Sequence, residues 1–124
     1  NQYKEDYSGL KLSIDFSDGM AALFANDLFG NTYVALNEKA DGSFPGHQPN
    51  PLEPENQDQI KESVKKNQSD LGIIFDGDAD RVMFIDEKGH FISPDLIIAL
   101  FAHYFLEGKH KKETVVNDIS PSKA

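Results

Sequence analysis

Apolar residues in this chain recur with two different periods, and the changes between them mark out its elements. Leu10, Leu12, Ile14 and Phe16 alternate with Lys11, Ser13 and Asp15, which predicts a strand with one buried face. Asp18 then reads as the N-cap of a helix running through Met20, Leu23, Phe24 and Leu28 and stopped by Gly30. A second strand is expected over Thr32 to Asn37. Glu55 to Asn67 reads as a mostly polar helix with Ile60 and Val64, four residues apart, as its thin apolar face. Leu71 to Phe75 is an unbroken apolar run, the pattern of a strand covered on both sides. Val82 to Asp86 continues as a strand turned at Lys88-Gly89. Ser93-Pro94 opens a helix, cap first and then first-turn proline. That helix, Asp95 to Glu107, is apolar nearly all round and is expected to be buried, with Gly108 stopping it. Thr114 to Asp118 reads as a last strand. Strands alternating with helices, with one tight strand pair at 71–86, predict the α/β class, three layers α/β/α around a mixed, mainly parallel sheet. In such open sheets, ligands bind beyond the carboxyl ends of the strands.

One segment fits neither period. From Glu38 to Pro54 the chain carries four of its six prolines, Pro45, Pro49, Pro51 and Pro54. A connection this long is either a shaped functional loop, its prolines lowering the entropy of ordering, or a spacer across the sheet edge. Composition narrows the setting. A hydrophobic share of 39% over 124 residues suits one domain with a proper core. Cysteine is absent, which excludes disulfides and thiolate metal sites. The net charge of −9 argues against nucleic acid as a partner. The longest apolar run, Leu96 to Leu106, contains His103 and falls short of the about 20 residues that span a bilayer. With no secretory leader visible, a cytoplasmic location is expected. The chain opens on Asn1 and stops just after an apparent strand, so a piece of a longer protein is expected. His103 on the apolar helix, with Phe101, Tyr104 and Phe105, reads as core, while His90 and His110 read as surface. His47 is expected to shape the proline-rich loop.

The densest chemistry is Asp76-Gly77-Asp78-Ala79-Asp80-Arg81, which follows the buried run directly and includes the chain's one arginine. Along an extended strand, at about 3.3 Å per residue, Asp76 and Asp80 would stand roughly 13 Å apart. Magnesium holds its oxygens at about 2.0–2.1 Å, so ligands around it fall within about 4 Å of one another. The segment therefore has to curl, with Gly77 permitting unusual φ and Ala79 adding little bulk. Two like charges at about 4 Å repel by roughly 4 kcal/mol at an effective dielectric near 20. A divalent ion, with Arg81 nearby, answers that repulsion, and all-oxygen donors select magnesium, calcium or manganese. Three readings compete. A plain Asp-Gly hairpin turn needs one such pair, not three alternating acids. An EF-hand calcium loop places glycine where Arg81 stands and has helical flanks. A phosphatase-type aspartate pair usually has threonine or valine where this chain has Asp80, and would hydrolyse phosphomonoesters unaided.

Gly72 to Arg81, Gly-Ile-Ile-Phe-Asp-Gly-Asp-Ala-Asp-Arg, resembles the metal loop of the α-D-phosphohexomutases, the phosphomannomutase/phosphoglucomutase superfamily. Phe44-Pro-Gly-His-Gln-Pro-Asn-Pro-Leu-Glu-Pro-Glu-Asn56 resembles the stretch preceding it in that family. The resemblance covers roughly residues 10–118, the family's second domain, with 1–9 as a linker and 119–124 entering the third. It implies an excised domain of a four-domain enzyme in which a phosphoserine on the first domain exchanges phosphoryl groups with a hexose phosphate, through a bisphosphate. It further implies that Asp76, Asp78 and Asp80 hold Mg2+ together with a phosphoserine oxygen, and that Arg81 offsets charge during transfer. Implied partners are the phosphoserine, sugar-binding and phosphate-binding domains of the same polypeptide, and the hexose phosphate. Their motifs are absent from this chain, so alone it is expected to catalyse nothing. Ala79 stands where many members have glycine. A stand-alone cation-binding module or a phosphatase-like domain is the competing function.

Overall fold

The structure is a computed structural model, and it describes residues 9–30, 32–107 and Thr114. Strands β1 (Leu12–Asp15), β2 (Tyr33–Leu36), β3 (Leu71–Phe75), β4 (Val82–Ile85) and β5 (Phe91–Ile92) form one sheet in the order β2-β1-β3-β4-β5. β1 runs parallel to both β2 and β3, whereas β4 returns antiparallel to β3 with Val82 opposite Phe75. Three carboxyl ends, those of β1, β2 and β3, therefore lie along the same edge.

Alternation along the strands assigns side chains to two faces. Leu12, Ile14 and Ile73 join Phe16, Ala21 and Ala25 in one cluster, under a 3-10 turn at Met20–Phe24 and the short helix α1 (Ala25–Phe29). Ile74 and Ile85 join Ile60 and Val64 of helix α2 (Asp58–Asn67) in the other. The three-layer α/β/α arrangement follows, and Ile60 and Val64 are the buried stripe of α2. A 3-10 turn at Pro54–Gln57 leads into α2, and Gly30, with φ of 69°, ends α1.

Two expectations about this region are corrected. β1 is buried on both faces, because Ser13 and Asp15 point under α2 and the loops and not into water. The Ser13 Oγ lies 3.0 Å from Ser63 Oγ and 2.8 Å from Ser69 Oγ, so a trio of hydroxyls satisfies itself beneath the helix. Asp18 caps no helix: it is buried, with φ of 52°, and serves a loop described below. Small residues, Ala21 and Ala25, face the sheet from the first helical segment, while Met20, Leu23, Phe24 and Leu28 are exposed. Alanine allows the short helix to approach the sheet closely, which turns its bulkier residues outward.

The chain divides into two compact units at Phe91/Ile92. In the second, helix α3 (Pro94–Glu107) begins as expected, with the Asp95 amide donating to Ser93 Oγ at 3.3 Å. Its burial is not as expected. Leu96, Leu100, Phe101, Tyr104 and Phe105 are all more than half exposed, and His103 is exposed too. A helix apolar on all sides is buried only by surfaces all round it, and the described residues of its own unit supply none. The expected strand beyond Thr114, Gly108, His110 and the terminal segments 1–8 and 119–124 lie outside the described residues.

Candidate metal centre

Because β1, β2 and β3 share a direction, their carboxyl ends bring together polar residues distant in sequence. Asp15 ends β1, fully buried. Its Oδ1 accepts from the Ser17 amide and from Asn37 Nδ2, both at 2.9 Å, and its Oδ2 faces His47 Nε2 at 3.1 Å. The other ring nitrogen, Nδ1, faces the Gln48 carbonyl at 2.8 Å. A carboxylate and a carbonyl are both acceptors, so the doubly protonated imidazolium is the form of His47 that donates to both. The bond to Asp15 raises the imidazole pKa against the opposing effect of burial, with Gln48 and Asp18 adding to the rise. Asp18 Oδ2 accepts from the Gly46 amide at 2.8 Å, and Gln59 Nε2 donates to the Gly46 carbonyl at 3.0 Å. Farther on, Asn56 and Gln57 donate to the carbonyls of Asn50 and Pro51. The proline-rich loop is thus shaped and pinned at several points, with His47 among the pins.

Six residues, Asp76 to Arg81, connect β3 to β4. Asp76 is 1% exposed, while Asp78 and Asp80 face solvent. Each of the three offers a carboxylate oxygen, all within 4.8 Å of one another. The segment curls, though not at the residue expected. Left-handed backbone falls on Ala79, with φ of 64°. Gly77 serves instead by its small size. A Cβ there would come 3.2 Å from the Phe44 ring and 3.3 Å from Pro49, so the proline loop packs directly on the aspartate loop. The turn after β1 supports it from the other side, as the Met20 amide donates to the Gly77 carbonyl at 2.9 Å.

Arg81 closes the curl. Its amide donates to Asp76 Oδ1 at 3.2 Å and its Nε to Asp76 Oδ2 at 2.7 Å, while Nη1 reaches Asn50 Oδ1 at 3.4 Å. Asp80 Oδ1 lies 3.6 Å from the same Nε. Burial opposes ionisation of Asp76, but the Arg81 bonds outweigh it and its carboxyl titrates below the ordinary range. Asp80 shifts upward, through its hydrogen bond with Asp76 and the charge of Asp78. Three converging carboxylates and one guanidinium leave negative charge in excess, and the donors are hard oxygens alone, so the residues fit a magnesium-type cation.

A sequence profile described as phosphoglucomutase/phosphomannomutase, alpha/beta/alpha domain II, matches residues 1–89. The chain belongs to this family. The mutase-family domain is 38% identical over 120 residues to the phosphomannomutase of Methanocaldococcus jannaschii, covering 94% of this chain and 26% of that protein. It is 37% identical over 115 residues to a probable phosphoglucosamine mutase of Methanopyrus kandleri, covering 90% and 25%. Among solved structures, a phosphoglucomutase/phosphomannomutase family protein from Burkholderia thailandensis superposes with a TM-score of 0.75 at 38% identity, over 79% of this chain and 22% of that one. The mutase-family domain thus spans about a quarter of the length of these curated relatives. Among the described residues, no helix is long and apolar enough to cross a membrane.

Sequence reasoning missed Asp15, Asn37 and Asn50. Alternation along the strand puts Asp15 on the solvent side, and no local signal marks the other two.

Proposed function

We propose that this chain is the Mg2+-binding domain of a cytoplasmic phosphosugar mutase that interconverts hexose 1-phosphate and 6-phosphate, of the mannose/glucose type, by way of a phosphoserine and a bisphosphate. The reading rests on one observation above all: three carboxylates converge at the carboxyl edge of the sheet in a domain of this family. Relatives named phosphomannomutase and phosphoglucomutase support the reaction class. When bound, a divalent cation supplies positive charge beside the phosphoryl group in transfer. Asp76, buried and fixed by Arg81, would hold one ligand oxygen rigidly. Asp78 and Asp80, both exposed, would supply theirs from the open side, where a group on another domain can reach. Arg81, 45% exposed, keeps guanidinium N–H groups free of Asp76 and can offset charge on a phosphoryl group presented there. The phosphoserine, sugar-reading and phosphate-clamping parts belong to the remaining domains of the longer polypeptide, and this chain alone is inactive.

In the full-length enzyme, Asp78→Asn is expected to lower turnover by roughly two orders of magnitude or more, as loss of a main electrostatic stabiliser does, with an unchanged circular dichroism spectrum. Near-normal turnover would refute the ligand role.

A further inference from the structure

Arg81 touches Asp76 in a way that bears on which ion the triad accepts. The Nε–Oδ2 bond is short, 2.7 Å, and it falls on the one carboxylate of the three that is buried. Asp76 cannot turn away from it, because its Oδ1 is held by the Arg81 amide and its own amide donates to the Arg81 carbonyl at 3.2 Å. The guanidinium is itself steadied from the proline loop by Asn50 Oδ1.

We infer that Arg81 is a positioning residue for metal selectivity: its charged 2.7 Å bond engages Oδ2 of Asp76 and leaves Oδ1, which accepts only the longer amide bond at 3.2 Å, as the oxygen open to a cation, which disfavours calcium relative to magnesium. The inference rests on the triad being the cation site. Calcium takes six to eight oxygens and readily uses both oxygens of a carboxylate, whereas magnesium demands a near-ideal octahedron of single contacts. Partners in the shell behind the ligands orient them and tune affinity. A guanidinium fixed on one oxygen removes the two-oxygen option at the only ligand too buried to rearrange. Asp78 and Asp80, in the open, have no comparable clamp.

The test is titration calorimetry of the full-length polypeptide with Mg2+ and, separately, with Ca2+, for the native sequence, Arg81→Ala and Arg81→Lys. Asp78→Asn identifies the heat that belongs to the triad. Removing a positive charge strengthens attraction for both divalent ions alike, so the ratio of the two affinities isolates the number of oxygens offered. In Arg81→Ala the calcium-to-magnesium affinity ratio is expected to rise by about tenfold or more. Arg81→Lys keeps the charge but lacks the fixed planar fork, and its ratio is expected to rise as well. An unchanged ratio in both variants overturns the inference, because the guanidinium would then act by charge alone. If the native protein gives no heat that Asp78→Asn abolishes, the cation reading itself falls, and the inference with it.

Discussion

Around the proline-rich loop, each buried carboxylate is met by donors from the chain itself. Asp15 receives an amide, a carboxamide and an imidazolium, and Asp18 receives the Gly46 amide. The aspartate loop packed against it carries three carboxylates and one guanidinium, with two of the acids left in solvent. The first loop is electrostatically complete without help; the second is not. Charge satisfied internally serves stability, and charge left over serves a ligand.

The contrast can be broken most directly by comparing Asp15→Ala with Asp78→Ala in urea unfolding. Removing Asp15 strands an imidazolium and two donors, and is expected to cost about 3–5 kcal/mol, as loss of one partner from a buried pair does. Removing exposed Asp78 is expected to stay within about 0.5 kcal/mol, and in the absence of a divalent ion its sign should favour stability. Equal costs would mean the two loops do not differ.

A subtler test uses pH. The folded pKa of His47 is raised, chiefly by Asp15. The ion pair therefore adds stability in full below the unfolded imidazole value of about 6.5 and loses it as pH rises through the folded value. The stability difference between the native sequence and His47→Gln should shrink steadily over that interval. A constant difference would show that His47 is not an imidazolium.

The smallest expected effect concerns Ala79. A left-handed non-glycine residue costs about 1–2 kcal/mol, while glycine costs about 0.5–1 kcal/mol in chain entropy. Ala79→Gly should thus gain about 0.5 kcal/mol, read as a higher urea midpoint. A lower midpoint would contradict the positive φ.

Features carried by local pattern were legible. The apolar run of β3 and the Ile60/Val64 stripe of α2 follow from period alone, and the curl of Asp76 to Arg81 follows from the spacing of three acids once they are to share one cation. What failed had one physical cause. A binary pattern assigns polar residues to water, yet Ser13 and Asp15 are buried because partners some 20 to 60 positions away supply their hydrogen bonds. Asp18 looked like a cap for the same reason, since the Gly46 amide that claims it is invisible locally. The reverse error concerns the apolar helix α3. An all-round apolar pattern assigns a helix to the interior, but hydrophobicity states only that burial is favourable, not which surface provides it.

The hydroxyl trio of Ser13, Ser63 and Ser69 carries a consequence for the far end of α2. Apolar contacts alone tolerate a helix rolling about its axis, since one methyl group can replace another. Hydrogen bonds are directional, and slipping α2 by a single residue, a turn of about 100°, would carry Ser63 away from Ser13. Those small side chains therefore act as a key in a slot, fixing the azimuth of α2. One turn and more upstream, that azimuth sets where Gln59 and Asn56 grip the proline loop, and so how high Phe44, Pro49 and Asn50 stand over the aspartates.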